Sequence, residues 1–243
     1  MNMDKMMRKV GILLLFIILL HIPFLHLKVT GPGGITPADQ RGHLKPKVNH
    51  RAEPFYVPSS AVYYVSNLAE FIQIPFRFGT FDVQLSWLET SIQQGKMMRE
   101  ERIESSRLNY DQNVYQAVEK RTLRDLDIED INFESFRGSS AGMMLSLQLI
   151  QEADGKDLTR GHMIVGTGAV DAHGNILPVG GIKEKVQSAH RGDADLFFVP
   201  DGTNALEAQA AAERFGADFE IIAVKHLDEV LDALAEFHSD VLK

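Results

Sequence analysis

The chain has 243 residues, 44% of them apolar and 24% charged, with a formal net charge of −8, an ordinary globular balance for one or two domains. That acidity, with no cluster of Lys and Arg, argues against DNA or RNA as a partner, because phosphate contacts need concentrated positive charge. The absence of cysteine excludes disulfides, a catalytic thiol and cysteine-based zinc sites.

The first element is the run from Val10 to Leu27, which holds no Asp, Glu, Lys or Arg and follows Lys5, Arg8 and Lys9. About 18 residues of helix rise roughly 27 Å, close to the thickness of a bilayer's hydrocarbon layer. The run is expected to be a transmembrane helix over 10–27. Residues 1–9 then remain cytoplasmic, and everything beyond residue 28 lies outside the cell, because positive flanks stay inside. A cleaved signal peptide is the rival, but the apolar stretch is long for one and no small-x-small cleavage site follows Leu27. Thr30 to Gly34 reads as a break, and Pro37 to Pro58 as an extended, proline-punctuated linker. Apolar and aromatic residues return from Ser59 to Trp87, enough for strands and a short helix, and Leu88 to Thr122 has helical spacing. Residues 28–122 together are expected to form a small extracytoplasmic region next to the membrane.

From residue 123 onward strand and helix patterns alternate. Ser140 opens a helix ending near Asp154-Gly155. His162 to Val170 reads as a buried strand, a helix follows Gly181, and Leu196 to Val199 is a strand. Asn204 to Arg214, Phe219 to Val224 and Leu227 to Phe237 then read as helix, strand and helix. The fold class is therefore α/β (α+β).

Two motifs in this half carry chemistry: Gly138-Ser139-Ser140-Ala141-Gly142, and Leu177 to Lys185, which reads Leu-Pro-Val-Gly-Gly-Ile-Lys-Glu-Lys. A serine hydroxyl is a weak nucleophile near neutral pH and needs a neighbour to take its proton, which a partly desolvated lysine can do. A serine at the first turn of a helix also sits beside unpaired N–H groups that stabilise developing negative charge. By itself the pentapeptide is far more often no more than an N-capping serine. Lys183 likewise has a bland reading as a surface lysine, and acting as a base requires burial that lowers its pKa. On the expected arrangement Lys183 is buried beside Val179 and Ile182 while Lys185 stays solvated.

Taken in order, Ser140-Ala141-Gly142, Gly166-Thr167-Gly168 and Leu177 to Lys185 resemble the proteolytic domain of the Lon family over roughly Asp127 to the end. The stretch from Asp157 to Asp171 is closer still to the membrane-anchored Lon-like proteases of bacteria, which lack an ATPase. The resemblance implies Ser140 as nucleophile, Lys183 as base and Thr167 orienting the amine. It also implies polypeptide substrates and self-association into a ring. Those relatives place a PDZ domain before the nucleophile, and here the interval from about Lys120 to Phe136 is too short for one. Ser139 and Arg137 also stand where relatives carry a proline and a small or acidic residue.

Other chemistries fit less well. His162, His173, His190 and His226 have no zinc spacing, no P-loop occurs, and no cofactor is expected. A Ser/His/Asp triad from Ser140, His173 or His190, and Asp195 is a weaker alternative. The expectation is an ATP-independent, membrane-anchored serine endopeptidase, with a catalytically impaired binding or assembly module as the competing reading.

Overall fold

The computed structural model describes residues 3–38, 52–80, 82–122, 136 and 138–240. These fall into two compact units, one made of residues 1–31 and 61–100 and the other of residues 32–60 and 101–243.

The larger unit is a three-layer α/β sandwich. Its sheet runs in the order β1 (Leu27–Pro37), β2 (Tyr56–Val65), β4 (Ile164–Gly166), β7 (Leu196–Pro200) and β8 (Glu220–Val224), with only the parts of β1 and β2 nearest each other in sequence belonging to this unit. β2, β4, β7 and β8 are parallel, with Val165 opposite Tyr56 and Phe197, and Phe197 opposite Ile221. Side chains alternate across a strand, and both faces here are apolar. Ile164, Leu196 and Phe198 pack with helices α5 (Tyr110–Thr122), α6 (Gly142–Asp154) and α9 (Leu227–Asp240). Val165, Phe197 and Val199 pack with α7 (Ile182–Arg191) and α8 (Thr203–Phe215) on the other face. Burial on both faces is what a parallel sheet requires. A short antiparallel pair, β5 (Ala169–Val170) and β6 (Ile176–Leu177), interrupts the path from β4 to α7.

The smaller unit contains α1 (Met3–Leu20), α2 (Leu68–Ile72), α3 (Ile74–Phe78), β3 (Gln84–Trp87) and most of α4 (Ile92–Arg107). β1 pairs antiparallel with β3, Leu27 opposite Trp87 and Val29 opposite Leu85. Its core is small: Leu27, Val29, Val65, Ile74 and Phe78.

Three expectations are corrected. The first helix spans Met3–Leu20 rather than 10–27. It takes in the charged residues at its start and stops at a turn in which the His21 N–H bonds to the Ile18 carbonyl, ahead of Pro23. From Leu27 the chain is committed to the β1–β3 ladder. Among the described residues no helix is long and apolar enough to cross a membrane. Second, the stretch from Thr30 to Gly34, expected as a break, lies inside β1. Third, the division between 122 and 123 is not where the units part. Residues 32–60 join the larger unit because β2 hydrogen-bonds β4, and α5 joins it because Tyr110, Val114, Tyr115, Ala117 and Val118 are buried in the same core as α6. Most of the linker expected over Pro37 to Pro58, the interval in which a PDZ domain finds no room, and Arg137 lie outside the described residues.

Candidate active site

Thr167 directly follows β4, at the carboxyl end of a parallel strand, where α/β sheets commonly build their sites. Ser140 lies in a single 3-10 turn, Ser139–Ala141, that leads into α6 from one helix layer. Lys185 projects from α7 in the other layer. Three elements thus converge at the end of β4.

The convergence is held by hydrogen bonds. The Ser140 carbonyl accepts from the Thr167 hydroxyl at 3.1 Å and from the Gly168 N–H at 3.0 Å. The Gly168 carbonyl in turn accepts from the Met143 N–H at 3.0 Å, and the Thr167 N–H bonds to the Phe198 carbonyl at 3.0 Å. Lys185 Nζ donates to Thr167 Oγ1 at 3.0 Å. A continuous chain therefore runs from the Lys185 amine through the Thr167 hydroxyl to the backbone of Ser140.

Two glycines permit this approach. Gly138 enters the turn at φ 79°, a conformation that L side chains rarely adopt. At Gly142 a Cβ would lie 3.1 Å from the Val170 backbone nitrogen and 3.3 Å from the Tyr110 ring, so the first turn of α6 rests almost directly on β5. Ser140 itself is half-buried, accessible yet walled.

The sequence reading expected a buried amine at Lys183 and a solvated one at Lys185, and the structure reverses them. Lys185 is 4% exposed, while Lys183 is half-exposed with its Nζ 5.8 Å from the centre of the Phe215 ring. The cause is helix phase. Ile182, Lys185, Val186 and Ala189 occupy positions i, i+3, i+4 and i+7, and all four are buried. Lys183 falls one position off that stripe, toward α8. The i, i+3, i+4, i+7 stripe is present in the sequence, so helical periodicity applied to Ile182–Arg191 was the signal able to separate the two lysines. Thr167 was singled out for orienting an amine, and the amine it meets is Lys185.

Burial lowers the Lys185 pKa from the usual 10.5 to about 8, because the charged form loses hydration. The neighbouring Glu184 carboxylate opposes this by favouring the charge. About a tenth of the amine is then neutral at pH 7, against well under a thousandth for a solvated lysine. The Thr167 hydroxyl is fully buried and bonds both an amine poised near neutral pH and the turn that carries the half-buried Ser140.

The alternative triad is not assembled. The Asp195 carboxylate accepts from the Met163 N–H at 2.7 Å and lies 3.5 Å from His162 Nδ1. His173 sits in the turn after β5, where its Nδ1 is 3.3 Å from Lys120 Nζ, and His190 lies in the last turn of α7.

The region containing this arrangement has recognisable relatives. Residues 135–236 match the Lon protease (S16) C-terminal proteolytic domain. The Lon protease of Vibrio parahaemolyticus is 32% identical over 99 residues, 41% of this chain and 12% of that protein. Lon protease 1 of Bacillus subtilis is 36% identical over 96 residues, 39% and 12% of the respective lengths. Lon protease 3 of Sorangium cellulosum is 29% identical over 125 residues, 51% and 14%. The matches thus span only about an eighth of those relatives. The mixed α/β architecture of the matched region agrees with a Lon proteolytic domain, and Ser140, Thr167 and Lys185 all fall within it.

Proposed function

We propose that this protein is a serine endopeptidase in which Ser140 is the nucleophile, Lys185 the general base and Thr167 the residue that orients the amine. One observation carries the reading: the buried Lys185 Nζ, its pKa lowered to about 8, is tied through Thr167 to the turn that bears Ser140. Neutral Lys185 takes the proton from Ser140 Oγ as that oxygen bonds to the scissile carbonyl carbon. The resulting oxyanion lies beside the backbone N–H groups of the Ser139–Ala141 turn, at the positive end of α6. Lys185 then returns the proton to the leaving amine as the C–N bond breaks, and water, deprotonated by the same amine, frees the acyl group from Ser140. The hydrogen bond to Thr167 occupies one N–H of the amine and so limits its rotation.

Polypeptide substrates belong to this reading, as does self-association of the catalytic unit. Flexible or unfolded segments suit an ATP-independent enzyme. Association with a membrane is a further part of it, supported by the uncharged stretch Val10–Leu20 behind Lys5, Arg8 and Lys9. The peptidase reading is tested by incubating the full chain and Ser140→Ala with a flexible, casein-like substrate. Cleavage by the wild type that disappears in the variant supports it. Cleavage that persists removes Ser140 from the chemistry, and no cleavage by either protein favours a non-catalytic binding module.

A further inference from the structure

The smaller unit exposes more large apolar side chains than it buries. Apart from α1, Phe76 is 84% exposed, Trp87 71%, Phe24 56%, Ile72 53%, Leu85 49% and Ile22 46%. A soluble surface rarely groups so many large apolar side chains without a partner. In the β1–β3 ladder, Trp87 and Leu85 stand opposite Leu27 and Val29, so the apolar face that is buried under β1 continues, uncovered, onto the edge strand β3.

Backbone bonds hold Phe24 and Trp87 close to the segment that leaves α1. The N–H groups of Phe24 and Leu25 both bond to the Ser66 carbonyl, at 2.9 and 2.8 Å, immediately ahead of α2. The Leu88 N–H bonds to the His26 carbonyl at 2.8 Å, next to Trp87. α1 is itself apolar and exposed around its circumference from Val10 to Leu19, a pattern that belongs in a protein core or in lipid. Its uncharged part, Val10–Leu20, rises about 16 Å, roughly half of a bilayer's hydrocarbon layer.

Charge points the same way. The smaller unit carries seven Lys or Arg against five Asp or Glu, whereas the whole chain carries 25 against 33. The acidic excess is confined to the other unit, which leaves this one suited to anionic headgroups.

We propose that the smaller unit is a lipid-surface seat: α1 lies in the interface of an anionic bilayer, its charged start at headgroup depth, and Trp87 and the apolar residues around the exit of α1 rest in the same interface. Amphipathic aromatic rings favour that depth. The proposal rests on the membrane association included in the functional reading and adds to it the surface that makes contact.

Trp87 is the chain's one tryptophan, so its fluorescence reports this face alone. The full chain is mixed with vesicles of phosphatidylcholine plus phosphatidylglycerol, and flotation is measured together with Trp87 emission and acrylamide quenching. The expected result is co-flotation, a shift of emission to shorter wavelength, a fall in acrylamide quenching of about twofold or more as the ring leaves water, and new quenching by lipids with brominated acyl chains. Co-flotation with Trp87 still quenched as in lipid-free protein overturns the seat while leaving the anchor intact. Absence of flotation overturns both. A concentration-dependent emission shift without lipid assigns the face to a second copy of the chain and likewise overturns the proposal.

Discussion

The two sides of α7 carry the same side chain in opposite circumstances. On one side Lys185 lies between the helix and the end of β4, 4% exposed, with a threonine hydroxyl at 3.0 Å and a pKa of about 8. On the other side Lys183 reaches along α8 to the face of Phe215, half in water. Two positions on a helix are separated by about 200° around its axis, so a motif with alternating lysines presents one to each side. The chemistry of an amine is thus decided by which side of the helix faces the core, and residue type or distance from the nucleophile along the chain decides nothing.

The largest break in that comparison comes from truncation. Lys185→Ala is expected to lower kcat/KM on a flexible substrate by about 10³-fold or more, as loss of a general base does, measured against wild type at the same pH. Thr167→Val keeps the side-chain shape but removes the hydroxyl that Lys185 and Ser140 share. About a tenfold loss in kcat is expected, the worth of one hydrogen bond of roughly 1.4 kcal/mol, with activity largely restored in Thr167→Ser.

Lys185→Met probes the same burial through stability. The native pKa of about 8 lies below the unfolded 10.5, so below pH 8 the fold carries the full cost of a buried ammonium, and this cost declines as pH rises from 8 to 10.5. Lys185→Met is therefore expected to stabilise the protein by roughly 3 kcal/mol at pH 7, following 1.36 kcal/mol per pKa unit, and by progressively less toward pH 10.5, in chemical denaturation. An equal gain at all pH values would place the effect in packing and not in charge. The smallest change is Lys183→Ala, expected to leave kcat/KM within about twofold, because Lys183 stands on the side of α7 that faces Phe215 and not Thr167.

Much of the larger unit was legible along the chain. Glycines and apolar runs bounded α6, α7, α8 and α9 and the strands β7 and β8 closely, since each element there has one periodicity and a clear stop. The interruption at Thr167 was not legible. A run from His162 to Val170 reads as one strand, yet the chain leaves the sheet at Gly166 so that Thr167 and Gly168 can bond the Ser140 carbonyl, a contact between residues 27 positions apart. Long-range pairing also hid the recruitment of residues 32–60 and of α5 into the catalytic unit, because β2 finds β4 more than a hundred residues later. At the N-terminus the absence of charge between residues 10 and 27 suggested one helix, but hydropathy carries no information about the β3 edge that claims Leu27 to Thr30. Within the proposed site, Ser140 and Thr167 stand out by motif, whereas the motif as a string does not tell Lys183 from Lys185; only the phase of α7 does.

The central claim concerns one ionisation. With lysines labelled at Cε, an NMR titration of the Ser140→Ala protein, assigned by comparison with Lys185→Met, reads the Lys185 amine directly. A midpoint near pH 8 that moves when Thr167 is changed to Val is the predicted result. A Lys185 midpoint near the ordinary 10.5, indifferent to Thr167, would contradict the account.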